Sequence, residues 1–386
     1  VGVIPEDWRV ACVGDAFEVC NNLRLPISGA IREQMLGDFP YYGPTNIQGW
    51  INEFRVEGEY ALIGEDGDHF LKWRTQPMTL LVRGRFNVNN HAHLVRGSSN
   101  VTAWFYWYFV NRDITASLTR QGASRYKLNK ATLLQLPCVL PPPSEQRAIA
   151  SALSDVDALL GGLDRLIAKK QGLKQATMQQ LLTGQTRLPG FSGEWEVKRL
   201  EDVADMGSGG TPLSSVPAYY DGKIPWVAIS DMTKGGKIIE STERNLTALG
   251  LANSAAQMFP IGTVLYAMYA SLGECSIAGV SLCTSQAILG IRPRSNLNAD
   301  FLYYYLTSLK SVVKTLGQQG TQSNLNKGMV QDFRLSLPLV PEQTAIAAVL
   351  SDMDAELAAL QARRSKTQAL KQAMMQELLT GRIRLV

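Results

Sequence analysis

The sequence predicts a mixed α/β chain: two globular α/β domains joined by two long antiparallel coiled-coil helices, in a pseudo-twofold, circular organisation. Three observations lead there. Residues 145–188 and 342–385 match without a gap at an offset of 197, with 26 of 44 positions identical. Both copies place apolar residues at helical spacing over a length well beyond an ordinary globular helix. The stretches between them mix short β-prone runs with Gly, Pro and Asn turns, and share weaker anchors at the same offset. The expected division is 1–140, a domain; 141–186, a helix; 187–338, a second domain; 339–386, a second helix.

In the first domain PEDWRV at 5–10 is echoed by GEWEVKRL at 193–200. Runs such as EYALIG, TLLVRG and, in the second domain, GTVLYAMYA read as strands. The aromatic run VTAWFYWYFV (101–110) matches NADFLYYYLTSL (298–309) and reads as buried helix. Single-strand binders expose such aromatics on sheets and in grooves instead. Leu128-Asn129-Lys130 recurs as Leu325-Asn326-Lys327.

Ile149, Leu153, Val156, Leu160, Leu163 and Ile167 then step by four and three, which keeps one apolar seam on a helix. Ile346, Leu350, Met353, Leu357 and Leu360 repeat it. A helix of about 39 residues would be roughly 58 Å long. Such a seam needs cover, and the simplest cover is the other copy, running antiparallel. Pro341 suits a first helical turn, and Gly184 and Gly381, each after LLT, suit helix ends. The first copy leaves through LLTGQTRLPGFSGEWEV and the second through LLTGRIRLV, while the chain begins VGVIPEDWRV. The last residues thus resemble a linker back into the first, which implies adjacent termini.

Composition excludes more than it assigns. Lys plus Arg total 38 against 34 acids, a formal charge of +4. No apolar run approaches the ~20 residues of a membrane span, and no signal segment is evident, so a cytoplasmic protein without membrane contact is expected. The five cysteines form no C-x-x-C pair, which argues against a disulfide framework or a thiolate zinc site. GSGGTP (207–212) lacks the lysine of a phosphate loop. No dinucleotide fingerprint, nucleophile elbow, zinc helix or amino-methyltransferase loop occurs. The chain is therefore not expected to be an enzyme. On a strand His91 and His93 would face one side, leaving a metal, a hydrogen-bonded core or a contact surface open. No clustered carboxylate or cysteine completes a metal site, and none is expected.

Charge order is more informative than net charge. Residues 70–130 hold ten Lys/Arg and one acid, whereas 1–69 hold 12 acids and four basic residues. Residues 292–334 hold six basic residues and two acids. A basic face on a nearly neutral domain could track phosphates, although solvated surface charge is the plain alternative. Polar loops accompany these stretches: PYYGPTN, NVNNHAH, QGASRYK, SGGTP, ISDM, CTSQ and QGTQSNLN. Their Asn, Gln, Ser, Thr and Arg side chains can pair with base edges, or serve ordinary turn chemistry.

Two copies of EQ-x-AIA…LSD-x-DA…LKQA-x-MQ-x-LLTG, the openings GVIPEDW and GEWEVKRL, FNVNNHAHLV, and SGGTP…YYDGKIPWV together carry a resemblance that spans essentially the whole chain. The sequence resembles the specificity subunit of type I restriction-modification systems. The resemblance implies two target-recognition domains, each reading one half of a split double-stranded DNA target, with a coiled coil fixing the spacer. It implies docking of two adenine-N6 methyltransferase (modification) subunits and of restriction (motor-nuclease) subunits. S-adenosylmethionine, ATP and Mg would lie in those partners, with no cofactor in this chain. By the same resemblance, Tyr42, Asn46, Asn90, His91, His93, Ser124 and Arg125 face DNA in the first domain. Gly209, Gly210, Thr211, Ser230, Gln286, Thr321, Gln322 and Asn324 do so in the second. The rivals are a protein-bridging coiled-coil scaffold that never touches DNA and a self-sufficient nuclease or methyltransferase.

Overall fold

The computed structural model describes residues 4–121, 125–319 and 324–385. The chain forms two compact units, residues 1–164 with 362–386, and residues 165–361. The four consecutive segments read from the sequence thus assemble into two bodies, each taking half of each long helix.

The first unit contains β1 (Arg9–Cys12), α1 (Val13–Ala16), β2 (Phe17–Val19), α2 (Gly29–Gln34), β3 (Leu36–Tyr42), β4 (Ile47–Ile51), β5 (Val56–Gly64), β6 (Thr79–Val88), β7 (Ala92–Gly97), α3 (Thr102–Phe109), β8 (Thr119–Gln121), β9 (Arg125–Lys127), α4 (Lys130–Gln135) and β10 (Pro137–Leu140), followed by the long α5 (Pro143–Leu182). Its main sheet has six strands in the order β2-β7-β5-β6-β3-β4. β5 is buried on both faces through Tyr60–Gly64, so it reads as a continuous apolar run without alternation. One face is covered by α3, whose Trp104, Phe105, Trp107 and Phe109 are buried, as the aromatic run predicts. Trp104 Nε1 donates to the Val139 carbonyl at 2.8 Å and Trp107 Nε1 to Ser154 Oγ at 3.2 Å, satisfying both buried indole N–H groups.

The second unit repeats this plan with β11 (Glu196–Arg199), α6 (Leu200–Val203), β12 (Ala204–Ser208), β13 (Tyr220–Val227), α7 (Ile229–Gly235), β14 (Ile238–Ile239), β15 (Arg244–Leu246), α8 (Ala248–Ala252), β16 (Val264–Ala267), β17 (Cys275–Ala278), β18 (Cys283–Thr284), β19 (Ile288–Pro293), α9 (Ala299–Ser308), α10 (Lys310–Gln319), α11 (Lys327–Gln331), β20 (Arg334–Leu337) and the long α12 (Val340–Leu378). Its main sheet, β12-β19-β16-β17-β14, keeps the order of β2-β7-β5-β6. In a separate sheet, β15-β13-β18, β13 pairs antiparallel with β15 and parallel with β18, as β3 pairs with β4 and with the end of β6 in the first unit.

The repeated EQ and LLTG-x-x-RL motifs have one physical role in both units. Glu145, 1% exposed at its side chain, accepts Arg384 Nε at 2.7 Å and Trp8 Nε1 at 3.0 Å. Arg384 also reaches Asp7 at 2.7 Å, which brings the chain's two ends together. In the second unit Glu342 accepts Arg187 Nε at 2.5 Å. Gln146 ties the helix start to α3: its Oε1 accepts Val101 N at 2.8 Å and its Nε2 donates to Asn100 and Pro141. Gln343 does the same through Asn298 N, Asn296 and Pro338.

Within each unit the two helix segments run antiparallel. In the first, Asp157 pairs with Lys371 and Asp164 with Arg364. In the second, Lys174 pairs with Asp354 and Lys170 with Glu356. Asp157–Lys371 and Asp354–Lys174 are the same contact by the 197 offset, and both lysines also lie over equivalent rings, Trp107 and Tyr304. No helix among the described residues is long and apolar enough to cross a membrane.

Candidate nucleic-acid interface

In the first unit the predicted residues gather where β3, β5 and β6 end and β7 begins. Glu65 N donates to the His91 carbonyl, Leu128 N to the Glu65 carbonyl and Asn89 N to the Tyr42 carbonyl. These bonds place the 42–46, 65–67, 89–92 and 126–128 segments at one rim. Asn90 and His91 are exposed there, and His91 Nδ1 lies 3.0 Å from Asp66 Oδ2. Asn46 is exposed in the turn closed by Gly43 N donating to its carbonyl at 2.8 Å. Tyr42 is half-buried, edge-on to Phe86, and burial raises its hydroxyl pKa. Arg125 stands in β9, and Ser124 lies outside the described residues.

His93 is a correction to the expected set. It is 1% exposed, its Nδ1 2.8 Å from Asn21 Nδ2 and its Nε2 2.7 Å from the Leu128 carbonyl. Burial lowers its pKa, against the opposing effects of the Leu128 hydrogen bond and the Glu65 charge. It therefore holds β7 to the 128 segment and has no free edge for a base. The two histidines do not share a face because β7 begins at Ala92, leaving His91 in the preceding turn.

The second unit builds the same rim. Leu325 N donates to the Met268 carbonyl at 3.0 Å and Met268 N to the Ala287 carbonyl at 2.9 Å. This pattern equates Leu128 with Leu325, Glu65 with Met268 and His91 with Ala287. Asn90 and Gln286 consequently occupy one position of the repeated fold, and both present an exposed carboxamide. Ser285 N donates to the Val227 carbonyl and Gly210 N to the Thr284 carbonyl, each at 2.9 Å, so the Gly210, Ser230 and Gln286 loops leave from neighbouring points. Thr211, Ser230, Gln286 and Asn324 are exposed. Thr321 and Gln322 lie outside the described residues.

Gly209 and Gly210 are a second correction. Both are buried, and an added Cβ would come within 2.2 Å of Thr284 Oγ1 at the first and of Ala256 N at the second. They allow the loop to pack closely and present no group outward. Thr211 is the exposed member of that loop.

Sequence order also overstated the basic face. Antiparallel pairing sets Arg83 opposite Glu59, Arg85 opposite Glu57 and Arg96 opposite Glu18, and each forms an ion pair at 2.6, 3.2 and 2.6 Å. Lys127 lies 3.5 Å from Glu65. Four of the ten basic residues of 70–130 are thus paired with acids of 1–69. Arg24 went unnoticed in the sequence, 41 residues from its partner Glu65: its Nη1 lies 2.6 Å from that carboxylate and 3.0 Å from the Asn90 carbonyl, pinning the exposed turn.

Two units with one repeated core and two differently decorated rims define a duplicated recognition protein. The family model for the type I restriction modification DNA specificity domain matches residues 5–169 and again 192–369. The chain belongs to this family. The MjaIX specificity subunit of Methanocaldococcus jannaschii is 29% identical over 164 residues, covering 42% of this chain and 38% of that protein. The putative MjaX specificity subunit of the same organism is 23% identical over 420 residues, covering 100% of this chain and 95% of that one. The alignment thus spans well under half of the first relative's length and nearly all of the second's. The S subunit of the type I restriction-modification system from M. genitalium shares the fold, with a TM-score of 0.66 at 14% identity over 98% of this chain and 97% of that one.

Proposed function

We propose that this chain is the sequence-specific, double-stranded DNA-binding subunit of a type I restriction-modification complex. It reads an asymmetric bipartite target, one half-site per unit, and docks two adenine-N6 methyltransferase subunits, with restriction subunits joining the full complex. The observation that carries the reading is the repeated rim, where Asn90 and Gln286 hold one position on a shared scaffold. A carboxamide can pair with adenine through two hydrogen bonds. The asymmetry follows from what surrounds each amide: Glu65 with Arg24 and Lys127 in one unit, Met268 at the equivalent point in the other.

The spacer is set by α5 and α12, unbroken helices of 40 and 39 residues that each contribute to both units. A coiled coil in pseudo-twofold arrangement is supported by the matched Asp157–Lys371 and Asp354–Lys174 pairs. Catalysis then belongs to the partner subunits, which bring S-adenosylmethionine, ATP and Mg. The test is co-expression with methyltransferase and restriction subunits, followed by long-read detection of methylated adenines. A split motif with unlike halves is expected. Assembly with the partners but neither a motif nor salt-dependent duplex binding would indicate a protein scaffold instead.

A further inference from the structure

We propose that Arg244 reads a guanine in the half-site served by the second unit. The inference rests on the DNA reading above and names one base contact within it. Arg244 opens β15 and lies directly across from Trp226 on β13. Its guanidinium carbon is 4.5 Å from the Tyr220 ring centroid and 5.6 Å from that of Trp226. The residue is exposed. Among the described residues no carboxylate pairs with it and no protein acceptor takes its N–H groups, whereas Arg187, Arg294 and Arg384 are each locked onto carboxylates. The adjacent Glu243 is engaged by Lys234.

The two rings under Arg244 also hold the loop beside it. Trp226 Nε1 donates to the Gly210 carbonyl at 2.9 Å, and Tyr220 Oη donates to the Pro212 carbonyl at 2.7 Å. The exposed Thr211 is therefore held between two carbonyls anchored on the rings that Arg244 approaches. On its other side β13 pairs with β18, which leads into the Gln286 turn. Arg244 thus stands at the same rim, roughly 10 Å from β18 at two inter-strand spacings.

A guanidinium held over the Tyr220 ring, with the nearly perpendicular Trp226 ring beside it, has less rotamer freedom to lose when a ligand arrives, yet keeps its donors for an outside acceptor. Its planar fork matches the O6 and N7 acceptors of guanine in the major groove, the commonest specific arginine contact. A phosphate contact would need only the charge. Lysine keeps the charge and a place over the rings but not the fork.

The experiment enriches randomised duplexes with the full chain in the presence of its methyltransferase subunits, comparing wild type, R244K and R244A. Both variants should keep the first half-site's preferences unchanged. At one guanine position of the second half-site, discrimination should fall by roughly 10-fold or more. Uniform weakening with preferences intact, restored by lysine, would assign a phosphate contact and overturn the proposal. An unchanged motif would overturn it too, while leaving the DNA reading in place. A wild-type chain that enriches no motif would remove the DNA reading and this contact with it.

Discussion

His93 illustrates how a single side chain can look like a reader and act as a fastener. Its ring sits between Asn21 and the Leu128 carbonyl, and burial favours the neutral form. A folded-state pKa below the ordinary histidine value of 6.5 means that the unfolded chain takes up the proton first as pH falls. Stability from this group is therefore full above that value and is lost below it, at up to about 1.4 kcal/mol per pH unit. Urea titrations at pH 7.5 and 5.5 should show the loss, and His93→Gln should shrink the difference by about 1 kcal/mol. His69, also buried and shifted the same way, keeps its share in that variant. Gly209 tests the other correction. Gly209→Ala must push Thr284 and Ser285 aside, at a cost of about 1 to 3 kcal/mol. Gly49→Ala, with open space around the new Cβ, should stay within about 0.5 kcal/mol. Thermal melts read both, and equal effects would show that the 209–212 loop is loosely held.

At the scale of elements, the long helices and their ends were legible because their signals are local: heptad spacing, a proline near the start of α12, a glycine after LLT. The α3 core was legible for the same reason. Cross-strand relations were not. Nothing along the chain sets Arg83 opposite Glu59, or Arg244 against Trp226, until strand pairing brings them together. That is why the basic face was overstated and Arg244 unseen, while Asn90 and Gln286 surfaced as members of polar loops. The repeat itself makes a further prediction. Leu153 and Leu350 are equivalent, fully buried, and belong to the separate cores of the two units. Each Leu→Ala change should cost about 2 to 5 kcal/mol in its own unit. Hydrogen exchange should report the loss in 1–164 for Leu153→Ala and in 165–361 for Leu350→Ala, with the paired variant additive. Exchange that accelerates in both units after either change would mean that the two cores melt as one.

For the whole molecule, the proposed spacer mechanism turns helix length into DNA length. An α-helix advances about 1.5 Å per residue, and duplex DNA about 3.4 Å per base pair. Four residues added to α5 and four at the matching point of α12 would lengthen both by roughly 6 Å, or one to two base pairs. The insertion must fall in both helices, because the antiparallel ion pairs in each unit fix their register; lengthening one alone would set Asp157 against Lys371 or Lys174 against Asp354 out of step. Four residues also come close to one helical turn, so the apolar seam that includes Ile149, Leu153, Leu160 and Leu163 continues on nearly the same side. The half-sites themselves should stay as they are, since neither rim is touched. Methylated-adenine mapping of the doubly lengthened chain should therefore return both original half-sites with a longer gap. Unchanged spacing in that map would mean that something other than helix length sets the distance between the readers.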